Sequence, residues 1–236
     1  MDYNTEELPQ DCIDAGAVHS NFATRNARYR NAVCNYLGLK WISVGGNGNC
    51  FFESMIILLR KAGILPDNLN ACQLRLDLVR FFRECCDSTQ DLCERIVIEV
   101  EAETSEELYC STHGKINGVR LHRFVPATRD NYLNAVANDG VWAQGWHWLR
   151  AISFLYDVRV AVVIFGQQVV RYFGQGSRTV YLYKTDANTH YDALVPLLDA
   201  SSTNAEDGDA SFGCEGATFC HDTIWRTFIN TVYTFR

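Results

Sequence analysis

The chain has 236 residues, 47% of them hydrophobic and 21% charged, with a formal net charge of −7. These proportions describe a globular chain with material for a real core and exclude a disordered or low-complexity polymer. The acidic balance and the lack of a Lys/Arg cluster exclude a nucleic-acid binder and suit a basic protein partner.

The start, MDYNTEELPQ, has neither the basic head nor the apolar stretch of a secretory signal, and no apolar run reaches the length of a bilayer span. The expectation is a soluble, cytoplasmic monomer that stays off membranes. Ten cysteines stand at 12, 34, 50, 72, 85, 86, 93, 110, 214 and 220. They are scattered, and several fall in apolar helical patterns, so most are expected to be reduced and buried as small hydrophobes. No pair of CxxC elements is present, and Cys214, Cys220 and His221 match no strong ligand spacing. Neither a metal nor a cofactor is expected.

Taken in chain order, residues 1–36 read as an N-terminal extension. Its first twenty residues are polar and expected to be loosely held. A helix is predicted over 24–37, with Ala27, Tyr29, Val33, Cys34 and Leu37 apolar. A short strand at 41–44 runs into Gly45-Gly46-Asn47-Gly48-Asn49, a loop that can take unusual backbone angles. Cys50 follows. Phe52, Met55, Ile56 and Leu59 then fall on one helix face, and Gly63 is a plausible stop.

A second helix is predicted over about 69–84, with Leu74, Leu78, Phe81 and Phe82 inward. Residues 91–108 are rich in acids and fit either helix or strand. Further helices are predicted at 129–138 and 146–156. The run at 158–164 is β-branched and apolar, a buried strand, and strands continue at 169–172, 179–183 and 193–198. Residues 200–217 read as a linker or loop, and 218–235 as a C-terminal helix docking on the body. The main domain, 37–199, is of α/β or α+β class, with a small central β-sheet flanked by helices.

A cysteine nucleophile needs a thiolate and a base. Cys50 closes a glycine-rich loop and opens a helix, whose dipole and terminal N–H groups are expected to lower its thiol pKa. The loop can also turn backbone N–H groups toward a developing oxyanion. Of six histidines, His190 has the best surroundings, because Asp192 could orient its imidazole. It lies 140 residues on from Cys50, from 50 to 190, so only folding can join them.

Three blocks of sequence carry a family likeness. Gly46-Asn47-Gly48-Asn49-Cys50-Phe51-Phe52-Glu53-Ser54 resembles the nucleophile motif of the ovarian-tumour (OTU) deubiquitinases, which runs Asp-Gly-Asn-Cys and then aromatic or aliphatic residues. Thr189-His190-Tyr191-Asp192-Ala193-Leu194 resembles their histidine motif. Asp139-Gly140-Val141-Trp142, leading to Leu149-Arg150-Ala151-Ile152-Ser153, is similar to their Trp-containing approach to a helix. The likeness covers roughly residues 37–197.

This resemblance implies a papain-like OTU fold and cleavage of isopeptide bonds after the C-terminus of ubiquitin, polyubiquitin or a ubiquitin-like protein. It implies Cys50 as nucleophile, His190 as base and acid, Asp192 as orienting carboxylate, and backbone N–H groups of Gly48, Asn49 and Cys50 as the oxyanion hole. Trp142, Trp146 and Tyr191 are candidates to line the channel for the substrate tail, although the tryptophans also suit the core. The acids Glu99, Glu101, Glu103, Glu106 and Glu107 could meet a basic tail or form a solvated face. One departure stands out. The family's loop aspartate, three residues before the cysteine, is Asn47 here, which can hydrogen-bond but carries no charge. Two other readings follow: a weak or inactive OTU-fold module that binds ubiquitin without cutting it, and a cysteine hydrolase with an unrelated substrate.

Overall fold

The computed structural model describes residues 4–19, 21–46, 48–84, 115–116, 119–120, 129–137, 146–185 and 190–197. In chain order these form β1 (Asn4–Glu7), α1 (Gln10–Ala17), α2 (Phe22–Leu37), β2 (Leu39–Ile42), α3 (Cys50–Lys61), α4 (Ala71–Glu84), β3 (Lys115–Ile116), β4 (Val119–Arg120), α5 (Arg129–Val136), α6 (Trp146–Tyr156), β5 (Val158–Ile164), β6 (Val169–Phe173), β7 (Arg178–Lys184) and β8 (Tyr191–Pro196). The expectations for 91–108, for the loop at 200–217, for the helix at 218–235 and for Cys214, Cys220 and His221 lie outside the described residues.

The sheet is built around β5. Its sequence, VRVAVVI, is buried at every position but Arg159, as a strand covered on both faces must be. Strand order is β1-β6-β5-β7-β8-β2. β5 and β7 run parallel, with Val160 opposite Val180, and the other pairings are antiparallel. β3 and β4 form a separate two-stranded ribbon. The architecture is mixed α/β, as the sequence predicts.

Alternation along the strands sends side chains to two helical layers. On one face Ala161, Val163, Val170, Tyr183 and Leu194 pack with Cys12 of α1 and Tyr29, Val33 and Cys34 of α2. On the other, α3 lies against β7 and β8, and α6 against β5 and β6. α4 packs outside α3 and α6 through Leu74, Leu78, Phe81 and Phe82, all fully buried.

α2 begins with an ordinary cap. Asn21 Oδ1 accepts from Ala23 N–H at 2.9 Å and Thr24 N–H at 3.4 Å. It ends at Gly38, whose φ of +66° turns the chain directly into β2.

Two expectations need correction. The first twenty residues are not loosely held over 4–19. β1 pairs along the edge of β6, Leu8 and Cys12 are buried, and α1 covers the sheet. Their polarity belongs to a thin outer layer, so composition hides their structural role. The cysteines also differ among themselves. Cys12, Cys34 and Cys50 are buried thiols, as expected, whereas Cys72 is disulfide-bonded.

Burial pushes the Cys34 thiol from an ordinary 9.0 up to about 11, against the opposing pull of Arg30. The fold therefore favours the neutral thiol, and this contribution to stability is intact below pH 9 and lost as pH climbs toward 11. Tyr29 and Tyr183, raised chiefly by burial, act in the same direction at higher pH. The urea midpoint is expected to fall over this interval, and to fall less steeply in Cys34→Val, which has no proton to lose. Equal slopes in the two proteins would contradict this.

Candidate active site

Three consecutive candidate positions stand at the start of β8. Tyr191 opens the strand, Asp192 follows, and His190 precedes it. The β2–β8 ladder pairs Ile42 with Ala193 and goes no further. Beyond it, the N–H of Val44 turns to the Asp192 side chain and donates to Oδ1 at 3.1 Å. The same oxygen lies 3.1 Å from His190 Nε2. Against an ionised carboxylate, which only accepts, Nε2 is the nitrogen that donates. Asp192 is 3% exposed, and this burial makes its two donors a requirement rather than an ornament.

Cys50 is the first residue of α3 and is 4% exposed. Backbone N–H groups of Tyr191 and Phe51 reach its sulfur. The Cys50 thiol therefore lies beside Tyr191, whose neighbours in sequence are His190 and Asp192. Ser54 Oγ, one turn further along α3, donates to the Tyr191 carbonyl at 3.1 Å. Phe51 meets the Tyr191 ring edge-on, with centroids 5.3 Å apart. Together these contacts fix α3 against the start of β8.

The electrostatics correct one expectation. The helix terminus was expected to lower the Cys50 thiol pKa. Burial raises it; the Tyr191 and Phe51 amides pull it down, and the Glu53 and Asp192 carboxylates push it up, with an upward result. The amides act as expected, but loss of water outweighs them. Burial thus favours the neutral thiol at Cys50.

The remaining predicted residues fall into three groups. Gly48 and Asn49 are both buried beside Cys50, and Gly48 has a φ of +87°, which a residue with a side chain rarely adopts. Tyr191, a channel candidate, is 2% exposed with its ring against Phe51, so its ring packs in the core while its backbone serves the sulfur. Trp146 opens α6, partly buried. It stacks on Phe173 at 5.1 Å, with Arg171 and Lys184 also over its ring. Asn47, Trp142 and the acids at 99–107 lie outside the described residues. Among those described, no group of three or more His, Cys, Asp or Glu could hold a metal ion.

Three contributors went unpredicted. Val44 and Ser54 leave no trace in sequence, because each acts through one hydrogen bond. Arg75 does leave a signal: it is a charge on the apolar stripe of α4, between Leu74 and Leu78, and it is 1% exposed.

No family model matches the chain, and no curated protein matches it. Solved structures do match. The chain is similar to the OTU domain of OTUD1, at 15% identity and TM-score 0.45, over 72% of this chain and 93% of that one. It is similar to an OTU deubiquitinase from Wolbachia pipientis wMel bound to ubiquitin, at 18% identity and TM-score 0.44, over 67% and 96% of the two chains. It is also similar to the Hazara virus OTU bound to ubiquitin, at 22% identity and TM-score 0.38, over 68% and 83%.

The double duty of Asp192 can be separated by substitution. Asp192→Ala leaves the Val44 N–H without its acceptor and is expected to cost about 1–3 kcal/mol in urea unfolding. Asp192→Asn retains an acceptor oxygen and should cost clearly less. Equal losses would mean that Val44 does not depend on this side chain.

Proposed function

We propose that this chain is a cysteine-type deubiquitinase that hydrolyses isopeptide bonds after the C-terminus of ubiquitin or a ubiquitin-like protein. One observation carries the reading: Cys50 and the hydrogen-bonded His190–Asp192 pair, 140 residues apart in sequence, converge on Tyr191. This supports a reading of the three as nucleophile, base and acid of an acyl transfer. The likeness of the sequence blocks around Cys50 and His190 to the OTU motifs supplies the substrate class.

The chemistry follows from the geometry. His190 Nδ1 takes the Cys50 proton, while Asp192 holds Nε2–H and steadies the imidazolium that forms. The sulfur attacks the isopeptide carbonyl carbon, and the carbonyl π pair moves to oxygen. In this reading, backbone N–H groups of Gly48, Asn49 and Cys50 receive that oxyanion. Collapse breaks the C–N bond, and the leaving lysine amine accepts the proton from His190. A thioester on Cys50 remains. Water, deprotonated by His190, attacks it; the C–S bond breaks, and the thiolate regains its proton. The raised thiol pKa suits this order, because proton transfer to His190 accompanies attack rather than preceding it.

Cys50→Ala is expected to keep the fold and to lower di-ubiquitin cleavage by at least about a thousandfold. A variant that still cuts at the wild-type rate would end this reading. Asn47→Asp is expected to keep or raise turnover if hydrogen bonding within the loop is what this position supplies. A large loss would mean that the loop is built around the amide.

A further inference from the structure

Ser54 sits inside α3, one turn after Cys50, so the two share a face of the helix. A serine inside a helix usually turns its hydroxyl to the carbonyl four residues back, or to solvent. Ser54 does neither. It is fully buried, and its Oγ donates to the Tyr191 carbonyl at 3.1 Å, 137 positions away in sequence.

The sheet explains why this carbonyl needs such a partner. Consecutive carbonyls of a strand point to opposite edges. The His190 carbonyl points to β7, where it accepts from the Thr185 N–H at 3.1 Å and the Thr185 hydroxyl at 3.4 Å. The Tyr191 carbonyl therefore points the other way, to the edge that β2 covers only as far as the pair Ile42 and Ala193. Past that pair β2 has ended, and the Val44 N–H is on the Asp192 side chain. Ser54 takes the place of the missing strand. A buried carbonyl requires a donor, and here the donor belongs to the helix that begins with Cys50.

The other contacts of this helix are of a different kind. Phe51 meets the Tyr191 ring edge-on, and Phe52 and Met55 are fully buried. Apolar burial is non-directional and tolerates a small slide or rotation of a helix. A hydrogen bond has a set length and direction. The Ser54 contact thus fixes where along β8 the helix stands. It does so at Tyr191, the residue between His190 and Asp192.

We propose that Ser54 is a positioning residue of the active site, whose hydroxyl replaces β2 as partner of the Tyr191 carbonyl and sets the Cys50 helix in register with the strand that carries His190 and Asp192. The proposal deepens the deubiquitinase reading, and its effect on turnover rests on that reading. Its effect on the docking of α3 does not.

Ser153 supplies a control of the same chemistry. Its buried hydroxyl donates to the Phe173 carbonyl at 2.7 Å and to the carbonyl of Val158. Val158 pairs with Arg178 at the start of β7, whereas Tyr191 pairs with Lys184 at its end, so Ser153 lies at the far end of the sheet from His190. On a fluorogenic ubiquitin amide, Ser54→Ala is expected to lose kcat about tenfold with KM unchanged, since a misplacement of about 1 Å costs on the order of a hundredfold. Ser153→Ala is expected to keep kcat. A Ser54→Ala variant as fast as wild type, or an equal loss in both variants, overturns the proposal. Amide hydrogen exchange, read by peptide mass spectrometry, reports the docking without ubiquitin. Ser54→Ala should speed exchange several-fold in peptides covering the starts of α3 and β8, and leave α2 and β6 at wild-type rates. Exchange that is unchanged at those two starts, or that rises equally along the chain, also overturns it. If Ser54→Ala does not fold, as judged by thermal unfolding, Ser54→Cys takes its place. Its thiol is a weak donor, so the same pattern is expected at smaller size. If the wild type does not turn over the ubiquitin amide, the deubiquitinase reading fails, and the exchange pattern alone decides the role of Ser54.

Discussion

Oδ1 of Asp192 accepts both from the Val44 N–H and from His190, each at 3.1 Å. The two hydrogen bonds solve different problems with one atom. The first closes the end of the β2–β8 ladder and fixes where the chain leaves β2, hence where the glycine loop before Cys50 starts. The second fixes the ring of His190 and its tautomer. Because the strand alternates, Asp192 and Leu194 share a face, while Tyr191 turns to α3. Strand geometry thus distributes His190, Asp192 and the contact to α3 among adjacent residues. A register slip by one residue would undo all three.

Cys50 shows the opposing effects within such a site. Its helix supplies N–H groups, but its burial removes water, and removal of water prevails. A thiol so placed holds its proton more firmly than an exposed one. The loop before it is restrained from two sides, by the hydrogen bond from Val44 to Asp192 and by Arg75 from α4. Gly48, two residues before Cys50, is therefore held despite its backbone freedom.

Much of this was legible in sequence where a repeating pattern or a local motif carried it. The apolar period of α3, the β-branched run of β5 and the pair His190–Asp192 each correspond to a described element or contact. Helix α6 spans 146–156, as its apolar positions indicate. What could not be read depended on distant partners. The polar segment 4–7 gains its place only because β6 offers an edge. Strand β8 begins at Tyr191, two residues earlier than its apolar run suggests, because Lys184 of β7 pairs with it. The thiol shift depends on how much water the fold removes, which no spacing encodes. Arg75 was visible as a charge in an apolar stripe, but its partners come from the Cys50 loop and α5.

The central claim is that Cys50, and no other thiol, is the nucleophile for a ubiquitin C-terminus. A full-length ubiquitin carrying a C-terminal electrophile tests it directly, with the site of attachment mapped by peptide mass spectrometry. The account predicts a single adduct on Cys50, lost in His190→Ala while the fold persists. An adduct on any of the other nine cysteines, or none with wild-type protein that is folded, would contradict it.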